Sequence, residues 1–110
     1  MRNQEEGHHL GVRSYAVLLA LSEGERHGYD LMKQVALDSD NAIVMGPATL
    51  YTTLKRLLEL QLIAESEKKS DGPHAAQRRY YRLSSTGRTA LADELERSEK
   101  FSSLLRRRLA

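Results

Sequence analysis

Four stretches of this chain repeat apolar residues at helical spacing, and between the third and the fourth the period shortens to that of strands. The first, about Gly11 to Ser22, carries Val12, Tyr15, Ala16, Leu18, Leu19 and Leu21 and is apolar almost all round, a pattern that asks for burial on more than one side. SEGERHG (Ser22 to Gly28) interrupts it. The second helix, about Gly28 to Leu37, has Tyr29, Leu31, Met32, Val35 and Ala36 as its apolar set. Asp38-Ser39-Asp40-Asn41 reads as a turn and Ile43-Val44-Met45 as a short extended piece. Gly46 then serves as a cap, and Pro47 takes the first helical position, where its missing N–H costs nothing. Leu50, Leu54, Leu57 and Leu58 mark the buried face of this third helix.

Leu62 to Lys68 and Arg78 to Leu83 read as two strands, joined by KSDGPHAAQ with its Asp71-Gly72-Pro73 turn signal. On the second strand Tyr81 shares a face with Leu83 and belongs in the core, while Tyr80 lies nearer the surface. Ser84 or Ser85 caps a last helix, striped by Leu91, Leu95, Phe101, Leu105 and Leu109 and widened by Ala90, Ala92 and Leu104. Its length of about 24 residues spans roughly 35 Å, more than so small a core covers. That stripe calls for a partner surface, which a symmetric dimer supplies; the alternative is that it folds back on the first helix. The expected fold is mainly α with a small β-hairpin. Residues 1–10 form a flexible N-terminal segment, 11–83 a winged helix-turn-helix, and 84–110 a long C-terminal dimerisation helix.

The third helix holds the candidate chemistry. Opposite its leucines lie Thr49, Thr52 and Arg56, flanked by Tyr51 and Lys55, with one acid, Glu59, near the far end. Hydroxyls and cations hold phosphates, and the same groups reach base edges in a major groove. A solvated helix face accounts for these residues as well. A helix that runs into a basic-flanked hairpin, however, has the order of a recognition helix followed by a wing. The hairpin supplies Lys68, Lys69, Arg78, Arg79 and Arg82, with His74 in its loop.

Charge agrees with that placement. The net charge of the 110 residues is only +2, but it is unevenly spread. Residues 1–45 hold four Lys/Arg against seven Asp/Glu, residues 46–83 seven against four, and residues 84–110 six against four. Positive charge therefore gathers on the helix and hairpin, as a nucleic-acid footprint does. No run approaches the length of a membrane span, and MRNQEEGHHLG lacks the apolar core of a signal peptide. The absence of cysteine excludes disulfides and thiolate metal sites, and makes the cytoplasm the expected compartment.

YAVLLALSEGERHGYDLMKQV (Tyr15 to Val35), GPATLYTTLKRLLELQLI (Gly46 to Ile63) and RRYYRLSSTGRTAL (Arg78 to Leu91) together resemble the PadR family of transcriptional regulators. The resemblance covers about half the chain, in the right order and with the right gaps. It implies a winged helix-turn-helix homodimer on operator DNA, usually a repressor and sometimes released by a small molecule. It places Thr49, Tyr51 and Lys55 where the recognition helix meets DNA, and the basic residues around Gly72 on the wing. A single C-terminal helix matches the short branch of the family. Thr52 stands where the family often has proline and Gln61 where it often has glycine. The chain has no tryptophan, so it cannot hold flat aromatic molecules between tryptophans as some short members do.

The DNA-contacting set is therefore Thr49, Tyr51, Thr52, Lys55, Arg56, Lys68, Lys69, His74, Arg78 and Arg79, and the dimerisation set Val12, Tyr15, Leu91, Leu95, Phe101 and Leu105. No cofactor and no metal site is expected. His8 and His9 do not share a helical face, and His27 reads as a capping or packing residue. Arg106, Arg107 and Arg108 suit the negative end of a helix. Nothing pairs a nucleophile with a base or builds a phosphate loop. The rival readings are a winged helix used for protein–protein contact and a small enzyme subunit or ligand carrier built on the dimer cleft.

Overall fold

The computed structural model describes residues 10–66 and 79–110. Among these, α1 (Val12–Ala20), β1 (Arg26–His27), α2 (Gly28–Asp38), α3 (Pro47–Glu59), β2 (Ile63–Glu65), β3 (Tyr80–Leu83) and α4 (Ser85–Leu109) follow in order. The strands form one antiparallel sheet, β1-β3-β2, with Arg26 opposite Tyr81, and with Ile63, Ala64 and Glu65 opposite Leu83, Arg82 and Tyr81. The fold is a winged helix: α2 and α3 form the helix-turn-helix, and β2 and β3 are the described roots of the wing.

The core lies where α1, α2 and α3 meet the sheet. Val17, Leu18, Leu21, Leu31, Val35, Leu50, Leu54 and Leu57 are its fully buried side chains, each worth about 1.5–3 kcal/mol of apolar burial. Tyr81 is buried with them and Tyr80 is half-buried, as the strand alternation requires. Leu10, assigned by sequence to the flexible segment, is instead a core residue. Its apolar side chain gains burial just before α1 begins.

The helix ends explain the turns. His27 caps α2, its Nδ1 accepting the Asp30 N–H at 3.3 Å, and its ring meets Tyr80 edge-on at 5.3 Å. After α2 the Asn41 N–H reaches the Ala36 carbonyl at 2.7 Å and the Asp40 N–H that of Leu37 at 3.2 Å. Asp40 sits left-handed at φ 55° between them. After α3 the same double closure recurs, Leu62 N–H to Leu57 and Gln61 N–H to Leu58, each at 3.0 Å. Here Gln61 holds the left-handed place at φ 62°, where glycine is the usual occupant.

Two sequence expectations are corrected. α1 is shorter than Gly11 to Ser22, because the chain turns at Leu21. The break before α2 contains β1, which the sequence hid because two residues are too few to show a period. Ile43-Val44-Met45 leads into α3 outside any helix, with Met45 buried and Val44 exposed, and among the described residues no strand pairs with it.

α4 is the outlier. Ser84 caps it, its Oγ accepting the Gly87 N–H at 3.0 Å and donating to the Gln61 carbonyl at 2.8 Å. Its first half packs on α1, and the rest runs on past it. The radius of gyration is accordingly 15.4 Å, against about 13 Å for a compact chain of this length.

Candidate nucleic-acid interface

α3 is anchored by one face and open on the other. Leu50, Leu54 and Leu57 are fully buried, so the helix cannot rotate without exposing them. This forces Thr49, Thr52, Lys55 and Arg56 outward, and all four are exposed. Thr49, Thr52 and Arg56 lie three and four residues apart on one side, spanning about 10 Å of helix axis. That ridge suits a major groove about 12 Å wide. Gly46 and Pro47 start α3 without an acidic residue in its first turn, so no carboxylate opposes an approaching phosphate there.

Tyr51 is positioned differently from the threonines. Its phenol end lies over Gly28, and a Cβ at position 28 would sit 3.0 Å from the Tyr51 ring carbon that bears the hydroxyl and closer still to the oxygen. Glycine at the start of α2 is thus what lets the tyrosine lie down between the two helices, still 42% exposed. The adjacent His27 and Gly28 form one junction, the former capping α2 and the latter admitting Tyr51. Thr53, between the outward residues, donates its hydroxyl to the Thr49 carbonyl at 2.9 Å.

Of the hairpin cations, Arg79 is described and pairs with Glu65 across the wing root at 3.4 Å, both side chains well exposed. Such a pair is worth little in water, so it holds the guanidinium lightly. Arg82 is exposed as well. Lys68, Lys69, His74 and Arg78 lie outside the described residues.

Arg26 is a residue the sequence did not single out. Its Nε donates to the Ala20 carbonyl and its Nη1 to Asp30, each at 2.8 Å, tying the end of α1 to the start of α2. Only the lone cation in SEGERHG signalled it.

The dimerisation set falls into two parts. Val12, Tyr15, Leu91 and Leu95 meet along an apolar groove of about 570 Å³ between α1, the end of α2 and α4. Phe101 and Leu105 lie farther along α4, 63% and 41% exposed. At the groove mouth the Arg97 guanidinium donates to the Tyr15 hydroxyl and to Glu94, each at 3.0 Å. Burial and the Glu94 charge raise the Tyr15 pKa, with Arg97 opposing them. Among the described residues no helix is long and apolar enough to cross a membrane, and no cluster of metal-ligating side chains occurs.

Comparison with known proteins agrees with this architecture. The family model described as the transcriptional regulator PadR-like family matches residues 17–93. An uncharacterized protein of Lysinibacillus sphaericus is 31% identical over 78 residues, covering 70% of this chain and 69% of the relative. A PadR family transcription regulator from hypervirulent Clostridium difficile superposes with a TM-score of 0.74 at 21% identity, over 91% of this chain and all of that one. Bacillus subtilis PadR, solved in complex with operator DNA, superposes with a TM-score of 0.65 at 25% identity, over 76% of this chain and 46% of that one.

Proposed function

This chain belongs to the PadR-like family of transcriptional regulators, and we propose that it acts as a homodimer that represses transcription from a pseudo-palindromic operator. Family membership makes it a transcription regulator and not an enzyme, and DNA is its partner in the reading offered here. The observation that carries the proposal is the outward face of α3. The core leucines lock the helix, and Thr49, Thr52, Lys55 and Arg56 stand free of the protein body. In the proposed complex α3 enters the major groove, with Lys55 and Arg56 on phosphates and the threonines at base edges. The wing cations Arg79 and Arg82 follow the backbone beside it.

Dimerisation supports specificity. One α3 reads only a few base pairs, whereas two of them about one helical turn of DNA apart read a two-fold symmetric site. The exposed second half of α4 and the groove beside α1 offer apolar surface that could join two copies.

Fluorescence anisotropy on the DNA flanking the protein's own gene, repeated over a series of salt concentrations, tests the reading. Lys55→Ala and Arg56→Ala should each weaken binding to all duplexes and lower the magnitude of the salt slope by about one. Thr52→Ala should instead change which sequences are preferred. A protein that binds no duplex more tightly than a random one, or two alanine variants with wild-type affinity and slope, would refute the interface. The protein–protein winged helix would then take its place.

A further inference from the structure

A second groove, of about 580 Å³, lies on the exposed side of α2, away from the buried Leu31 and Val35, and opens at the start of α3. Its walls include Tyr29, Met32 and Lys33 of α2, with Val44, Gly46 and Pro47 from the segment that enters α3.

Met32, Val44 and Pro47 make most of this groove apolar. Tyr29 and Lys33 bring polar atoms to it, one turn apart and about 6 Å along the helix axis. Tyr29 is 69% exposed, and neither its hydroxyl nor the Lys33 ammonium has a partner among the described residues. The carboxylates of α2 are engaged elsewhere: Asp30 accepts from Arg26 and Asp38 from Gln34, each at 2.8 Å. None of the described residues lining the groove is acidic. Such a surface suits a ligand that is anionic at one edge and apolar at another. A sugar–phosphate backbone has that composition. Its phosphate oxygens accept from a lysine ammonium and a tyrosine hydroxyl, and its deoxyribose carbons rest on methyl and methylene groups.

α3 joins this groove to the interface already described. Its first residue, Pro47, lines the groove, and the outward ridge begins at Thr49. The wing roots follow the other end of α3, whose 13 residues span about 20 Å. A major groove has a phosphate backbone on each side. With the wing on one of them, Tyr29 and Lys33 serve the other. A protein seated here would compete with the duplex for the start of α3, so continuity favours the duplex itself.

We propose that this groove holds the sugar–phosphate backbone beside the major groove that α3 reads, with Lys33 neutralising one phosphate and the Tyr29 hydroxyl donating to it. This rests on the DNA-binding reading above. It adds a second backbone contact, on two residues that the sequence did not single out for DNA.

Anisotropy titrations of the full chain on the gene-flanking duplex test it, because the two side chains leave different signatures. Lys33→Ala should weaken binding about tenfold at low salt and lower the magnitude of the salt slope by about one per bound protomer. Tyr29→Phe removes an uncharged donor, so affinity should fall about fivefold with the slope unchanged. Both residues reach solvent, so the thermal midpoints should stay at the wild-type value. A scan of the duplex with single methylphosphonate linkages, which carry no charge, then locates the contact. One position in each half-site should weaken the wild type and have no effect on Lys33→Ala. Wild-type binding by Lys33→Ala or by Tyr29→Phe, or a phosphate scan that is the same for Lys33→Ala as for wild type, would overturn the groove contact and leave the groove to a protein partner. The DNA-binding reading would survive that result if Lys55→Ala and Arg56→Ala remained impaired, and would fall with it if they did not.

Discussion

Replacing Gly87 by alanine adds a single methyl group in the first turn of α4, at a position where helix propensity alone favours alanine by up to about 1 kcal/mol. The surroundings reverse that sign. A Cβ at Gly87 would lie 2.8 Å from a Leu83 methyl, 3.1 Å from the Leu62 carbonyl carbon, and closer still to the Leu62 carbonyl oxygen. The oxygen belongs to the backbone and cannot swing away. It also accepts the Ser84 N–H at 3.1 Å, while the Ser84 Oγ donates to the Gln61 carbonyl at 2.8 Å. To make room, α4 must lift off the end of α3 and strain these bonds. Overpacking costs about 1–3 kcal/mol, and each weakened hydrogen bond adds about 1 kcal/mol. After subtraction of the propensity gain, Gly87→Ala should destabilise the protein by about 2–4 kcal/mol. That corresponds to roughly 10–20 °C in Tm. Urea and thermal unfolding followed by circular dichroism measure it, with Thr86→Ala, exposed on the same turn, as a control expected within about 0.5 kcal/mol of wild type. If Gly87→Ala melts at or above the wild-type temperature, the close packing of α4 on Leu62 is wrong.

Gln61→Gly should act in the opposite direction. The left-handed residue closing α3 strains an L side chain by about 1–2 kcal/mol, and after glycine's extra unfolded-state freedom is subtracted a gain of about 0.5–1 kcal/mol in urea unfolding remains; a loss of stability would contradict the turn geometry. Tyr81 and Tyr15 both have raised pKa values, Tyr81 through its burial first and the Glu65 charge next, Tyr15 through burial and Glu94. A folded-state pKa above the unfolded value near 10 means that the contribution is whole below pH 10 and lost as pH rises through the folded pKa. The urea midpoint should therefore fall on the alkaline side of pH 10, and fall less steeply in Tyr81→Phe; an unchanged alkaline profile in that variant would remove Tyr81 as a cause.

The winged-helix architecture was legible because each helix carries its own local evidence. The leucines of α3 declare the buried face, Pro47 and Gly46 its start, and Ser84 the start of α4, all within a turn or two of chain. The outward face of α3 followed from the same period, since a helix with one buried face has its remaining residues assigned by geometry.

Other features depend on chain segments far apart in sequence, and no local pattern encodes them. β1 exists because Arg26 and His27 find β3 more than fifty residues later. Leu10 joins the core because the folded helices leave it a place. The glycines at 28 and 87 are ordinary helix breakers until Tyr51 and the Leu62 carbonyl arrive beside them. Gln61 looks like any surface glutamine until the double closure of α3 sets its φ to 62°. Periodicity records which side of an element is apolar, because burial of that side is its main source of stability. Close approach between elements depends on where backbones meet in space, and only the packed tertiary structure brings them together.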